Sequence, residues 1–109
     1  MAYDQALAER IRKVLAGEPG LTEKKMFGGV GFMLRGNMVC GVLDDALIAR
    51  VGAAQYQEAL AQPHVRVLDR NGHAMSGWVQ VGPQGVASAA DLRRWVMAGV
   101  EQVKELPAK

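Results

Sequence analysis

The segment 24–51 constrains the fold most strongly, because it alternates short apolar runs with residues typical of tight turns. One turn is expected at Gly36-Asn37 and another at Asp44-Asp45. Both dipeptides favour reversals between antiparallel strands. The segment therefore predicts a three-stranded antiparallel meander.

The two turns also predict a strand register, and this register gives the meander two apolar faces. The first turn would set Met33 opposite Cys40, and the second would set Gly41 opposite Ile48. One face would then carry Met33, Met38, Cys40, Val42, Leu47, Ala49 and Val51, and the other would carry Phe32, Leu34, Val39, Leu43 and Ile48. A sheet with helices on one side only should be polar on its other side. We therefore expect the second set of residues to form a homodimer interface.

Amphipathic helices are predicted before and after the meander along the chain. The first follows Asp4, an N-cap residue, and repeats apolar residues at helical spacing from Leu7 to Leu15. A short second helix is expected over 52–61. The last helix begins after a capping box at Ser88 and Asp91, and its inner face is predicted to carry Leu92, Trp95, Val96, Gly99, Val100 and Val103.

Short strands are expected at 65–68 and 78–81, with a turn-rich loop at 69–77 between them. The glycines at positions 28, 29 and 31 predict a bend within the first strand of the meander. The predicted fold class is therefore α+β, in the order α-β-β-β-α-β-β-α, with an antiparallel meander packed by helices. At 109 residues, the chain is expected to form a single domain over 1–109.

Several motifs along this order resemble the N-terminal domain of the TfoX/Sxy family, which is associated with the regulation of natural competence. They are Lys25-Met26-Phe27-Gly28-Gly29, Gly36-Asn37-Met38, Asp45-Ala46-Leu47 before Arg50-Val51, and Met75-Ser76-Gly77-Trp78. The resemblance covers residues 3–107. It implies a two-layer fold similar to secretion chaperones, a dimer, and a stand-alone regulatory domain without known catalytic residues.

Composition narrows the classes of function. Thirteen Lys and Arg residues against eleven Asp and Glu residues give a net charge of only +2, which does not favour binding to nucleic acid by charge alone. The single cysteine, Cys40, excludes an intrachain disulfide and suits a reducing cytoplasm. No signal-peptide pattern opens the chain and no apolar run is long enough to cross a bilayer, so we expect a cytoplasmic protein.

No residue pattern points clearly to catalysis, a metal or a cofactor, and none of these is expected. Cys40 lies in a predicted strand without a neighbouring base, although a thiol-dependent enzyme is retained as an alternative. His64 and His73 lack metal-ligand spacing and are expected in surface turns. The glycines at 28–31 precede more strand rather than a helix, which argues against a phosphate loop.

The leading hypothesis is a non-enzymatic, homodimeric regulatory or protein-interaction module, whose further protein partner the sequence does not identify. The main alternative is a nucleic-acid-binding module that uses Lys24, Lys25, Arg93 and Arg94. Nearby acidic residues and the lack of an aromatic stacking row make this alternative less favoured.

Overall fold

The computed structural model describes residues 3–26, 28–70 and 73–107, and within these ranges it contains one six-stranded sheet and three α-helices. The helices are α1 (Gln5–Leu15), α2 (Tyr56–Leu60) and α3 (Ala89–Lys104). The strands are β1 (Leu21–Met26), β2 (Gly29–Leu34), β3 (Asn37–Leu43), β4 (Ala46–Arg50), β5 (Val65–Arg70) and β6 (His73–Val81). Neighbouring strands are antiparallel, in the order β1-β2-β3-β4-β6-β5. The predicted α+β class is confirmed.

The two longer helices begin where the sequence predicts. The Asp4 carboxylate accepts a hydrogen bond from the backbone amide of Leu7 at 3.1 Å, and the Ser88 hydroxyl accepts one from the amide of Asp91 at 3.0 Å. These contacts satisfy amides that have no partner within the first helical turn. The predicted inner faces of both helices are confirmed, and in α3 all six expected residues are buried.

All three helices contribute to one core on a single side of the sheet. Helix α3 crosses β3 and β4, α1 packs beside α3, and α2 lies over β5 and β6. The sheet side of this core includes Phe32, Cys40, Val42, Leu47, Ala49, Val79 and Val81. None of the three helices has the length and apolar character needed to span a membrane, as judged over the described residues.

The predicted register between the second and third strands is wrong. The turn comes one residue earlier than expected, at Arg35-Gly36, and a β-bulge follows, so that Phe32 rather than Met33 pairs with Cys40. A net shift of one residue exchanges the two faces of a strand. The predicted pairing of Gly41 with Ile48 across the next turn is confirmed.

This shift corrects three residues assigned to the dimer interface. Phe32, Leu34 and Val39 belong to the core beneath the helices, with 0%, 5% and 0% of their surface exposed. Val39 is the additional residue at the bulge, and it lies against Gly99 of α3. These three side chains therefore stabilise the fold of one chain and are not available to a second subunit.

The structure contains one strand more than the predicted order. The segment Leu21–Met26 pairs with β2 as an edge strand, although it carries three charged residues. The expected bend near the glycines is instead a reversal, in which Met26 pairs with Gly29 and Gly28 has a φ of 79°. Phe27 lies outside the described residues.

The predicted loop at 69–77 is also wrong for most of its length. Strand β5 extends to Arg70 and β6 begins at His73. These two residues pair with each other. Residues 71 and 72 lie outside the described part of the chain. Helix α2 is shorter than the predicted 52–61 segment, and its Tyr56 and Leu60 side chains pack against the core.

Candidate interaction surfaces

The side of the sheet opposite the helices is the first candidate surface, and we call it the open face. Strand pairing places on it Thr22, Lys24, Gly31, Met33, Met38, Gly41, Leu43, Ala46, Ile48, Arg50, Arg66, Trp78 and Gln80. None of its apolar members belongs to the helix-covered core. Within the described residues, this face therefore has no helix packed on it.

The middle of the open face is apolar and shallow. A row of paired residues crosses the sheet through Gly31, Gly41 and Ile48, and the end of the Met38 side chain lies close to Gly41. Ile48 is only 6% exposed because its own chain covers it. Met33, Met38, Leu43 and Trp78 are half-buried and present the apolar surface that a partner could contact.

The two ends of the open face carry opposite charges. At one end, the Arg50 guanidinium donates to the Met38 carbonyl at 3.0 Å and lies 5.3 Å from the centre of the Trp78 ring. Exposed Arg35 lies in the turn at this same end. The β3–β4 turn forms the opposite end and carries exposed Asp44 and Asp45.

The predicted dimer-interface residues are thus divided between two faces. Leu43 and Ile48 lie on the open face as expected, whereas Phe32, Leu34 and Val39 lie in the core. The sequence alone could not reveal this division, because one bulged residue decides which side chains face the helices.

The structure does not bring the predicted nucleic-acid patch together. Lys24 lies on the open face of edge strand β1, whereas Lys25 lies on the other side of the same strand. Arg93 and Arg94 belong to α3, and Arg94 contacts Gln62, which follows α2 over the opposite half of the sheet. Lys24 shares its row of the open face with Arg66, but the two residues stand at opposite edges of the sheet.

Cys40 is fully buried on β3, where it pairs with Phe32 and Ala49 of the adjacent strands. Burial raises the pKa of the Cys40 thiol well above its usual range, because the thiolate would lose its hydration. A thiol that stays protonated inside the core is a poor nucleophile.

The remaining chemical candidates have structural roles in the described part of the chain. His64 has a positive φ of 67°, and its carbonyl accepts a hydrogen bond from the amide of Gly82 at 2.8 Å. The side chain of His73 lies outside the described residues. Among the described residues, no group of three or more His, Cys, Asp or Glu side chains could hold a metal ion.

A second candidate surface lies between α2 and α3, and we call it the α2–α3 groove. It is an open cavity of about 380 Å³. Its lining comprises Val51, Gln55, Glu58, Ala59, Gln62, Arg94, Trp95, Ala98, Glu101 and Gln102. This site was not predicted from the sequence, in which its only signal is a pair of alanines, Ala59 and Ala98, on helices that also present polar side chains.

Taken together, these elements define a small two-layer α+β domain in which helices cover one face of an antiparallel sheet. The family model for the TfoX N-terminal domain matches residues 13–103, which run from within α1 almost to the end of α3. The chain belongs to this family, as its motifs suggested. No significant match is found among curated proteins.

Proposed function

We propose that this protein is a non-enzymatic regulatory module that acts through contacts with other protein chains, as the resemblance to competence regulators implies. The open face is the observation that carries this proposal. It combines an apolar middle with charged ends, and no helix of the described chain packs on it. Surfaces of this composition are typical of protein interfaces.

A second copy of the chain is the partner that best complements the open face. If two open faces stack about a two-fold axis perpendicular to the strands, the strands of one copy run opposite to those of the other. The Asp44-Asp45 end of each copy then meets the end that carries Arg35 and Arg50 in its partner. Opposite charges would thus fix the orientation, while Met33, Leu43 and Trp78 supply apolar contact.

The alternatives have less support. The burial of Cys40 argues against a thiol-dependent enzyme, since its thiolate is disfavoured. Nucleic acid would need a continuous basic surface, but Lys24 and Arg66 are at opposite edges of the open face and two aspartates occupy one end.

Analytical ultracentrifugation of the wild-type chain and Leu43→Asp tests this proposal. Leu43 is half-buried on the open face, so a carboxylate there can remain solvated in the monomer but would be buried in the dimer. We expect a wild-type dimer at micromolar concentration and a monomeric variant with an unchanged circular dichroism spectrum.

Val67→Asp is the matched control, because Val67 is 40% exposed and pairs with Val79, whose side chain lies on the helix side. This variant should dimerise like the wild type. A wild-type chain that remains monomeric throughout the micromolar range would refute self-association. Retained dimerisation in Leu43→Asp would show that the copies meet elsewhere.

A further inference from the structure

We propose that the α2–α3 groove is a docking site for a segment of a partner protein, in which one apolar side chain stands between an acidic and a basic residue. This inference rests on the proposed function as a protein-interaction module and adds a site that is separate from the open face. It follows from the shape of the groove, the composition of its floor and the distribution of charge along it.

The groove exists because α2 and α3 run antiparallel on the same side of the sheet, and small residues line the space between them. Gln62, just after α2, accepts a hydrogen bond at 3.0 Å from the guanidinium of Arg94, which lies early in α3. Gly52, which precedes α2, packs against the side chain of Gln102 near the end of α3. A Cβ at position 52 would overlap with the Gln102 side-chain amide. Between these two fixed ends, Ala59 and Ala98 leave space that larger side chains would fill.

The floor of the groove suits an apolar side chain. Trp95, Val51 and the two alanines provide its apolar lining, and Trp95 is held with only 4% of its surface exposed. A volume of about 380 Å³ accommodates a leucine, methionine or phenylalanine side chain. Pockets of this kind, with an apolar floor and a polar rim, hold the dominant side chains of many protein interfaces.

The rim suits the backbone of a bound segment. Three glutamines line the groove: Gln55 and Gln62 flank the two ends of α2, and Gln102 belongs to α3. Each amide side chain offers both a donor and an acceptor, as does each peptide group of a bound chain. A rim of amides can therefore satisfy the backbone groups that docking removes from water.

The charges along the groove give the bound segment a direction. Arg94 stands at one end, fixed by Gln62 and by the Trp95 ring, whose centre lies 4.8 Å from the guanidinium carbon. Glu101 follows seven positions later on α3, about 10 Å along the helix axis, and Glu58 adds a second carboxylate from α2.

The local partners of these charges are weak. Asp91 lies 3.5 Å from Arg94 and Lys104 lies 3.6 Å from Glu101, and both contacts are exposed to solvent. Alternate side chains of an extended chain share one face and lie about 6.8 Å apart, so an acidic and a basic residue four positions apart, with an apolar residue midway between them, would face the groove and reach Arg94 and Glu101. The apolar side chain between them would enter the space at Ala98.

Selection from a library of randomised seven-residue peptides displayed on phage tests the proposal. We expect the enriched peptides to carry the acidic–apolar–basic pattern. A synthetic consensus peptide should bind the wild-type chain and lose at least tenfold in affinity for Ala98→Leu, which fills the groove. Ala90→Leu is the matched control, because Ala90 is exposed on the same helix outside the groove, and it should bind like the wild type.

Arg94→Glu provides a second measurement that a purely structural effect would not produce. Repeated selection against this variant should replace the acidic position of the consensus with a basic residue. Absence of enrichment, equal binding to Ala98→Leu, or an unchanged consensus with Arg94→Glu would overturn the proposal. Sedimentation of Ala98→Leu as a wild-type-like dimer would separate a failure at the groove from a failure of the proposed function.

Discussion

Cys40 shows how position in the fold decides the chemistry of a side chain. Its sequence context gave no base or cation to activate the thiol, and the prediction of an inert cysteine followed from that lack of partners. The structure adds the physical cause: the thiol lies in the core, and burial raises its pKa by removing water from the charged form. The same burial makes a measurable contribution to the pH dependence of stability.

The free energy of unfolding should decrease as pH rises above about 8.5, because Cys40 can ionise there only in the unfolded chain. The folded-state pKa is raised, so the unfolded chain binds fewer protons and becomes favoured by about 1.4 kcal/mol per pH unit. Urea denaturation of the wild type and Cys40→Ala between neutral and alkaline pH measures this contribution.

The comparison isolates Cys40, since other groups titrate in both proteins. The stability of the wild type should fall relative to that of Cys40→Ala only above the ordinary thiol pKa. Stability profiles that remain parallel over this range would mean that the thiol ionises in the folded protein.

At the scale of elements, the two long helices were predictable from the sequence, whereas the side-chain faces next to the β2–β3 turn were not. The signals for α1 and α3 are local, namely an N-cap residue and apolar residues at helical spacing, and both helices form as expected. The face of a strand depends on pairing with a distant segment. A turn at Arg35-Gly36 and one bulged residue, Val39, reversed the predicted assignment for β2.

The same contrast between local signals and pairing with distant segments applies to the candidate surfaces. Leu43 and Ile48 were placed correctly because the β3–β4 turn has no irregularity. The α2–α3 groove depends on two helices that approach each other only after the chain has passed through β5 and β6. The two alanines that line it do not by themselves indicate which helices come together.

Gly99 controls how closely α3 packs on β3, and Gly99→Ala tests this contact. Alanine normally stabilises a helix by about 1 kcal/mol relative to glycine. Here the new Cβ would overlap with the Val39 carbonyl oxygen, so α3 must move away from the sheet. We expect a net loss of roughly 1–3 kcal/mol in the free energy of unfolding, measured by urea denaturation.

The reverse substitution, Ala90→Gly, is the control on the exposed part of α3. It should cost about 1 kcal/mol through helix propensity alone. A gain of stability in Gly99→Ala would show that α3 and β3 can separate without loss, and would contradict the close packing.

For the molecule as a whole, the helix-covered face and the open face have different roles. The helices provide the core that stabilises a single chain, including the three apolar residues first assigned to an interface. In the proposed dimer the open face would contact the second copy, and its charged ends allow the proposed orientation to be tested independently of its apolar middle.

In the proposed orientation, Arg35 of each copy would lie near Asp45 of the other, so each pair would occur twice in the dimer. Both residues are exposed in turns, and reversal of either charge should leave the fold of the single chain intact. Arg35→Glu or Asp45→Arg would replace two attractive contacts with two repulsive ones. We expect each variant to weaken dimerisation about tenfold, roughly 1.4 kcal/mol, as measured by sedimentation equilibrium at low salt.

The double variant distinguishes a direct contact from a general effect of net charge. Arg35→Glu combined with Asp45→Arg restores opposite charges across the two-fold axis, so the dimer should recover most of its affinity. Arg93→Glu makes the same charge change on exposed α3 and should have little effect. If the double variant is weakened by the sum of the two single effects, the two ends do not meet and the antiparallel arrangement is wrong.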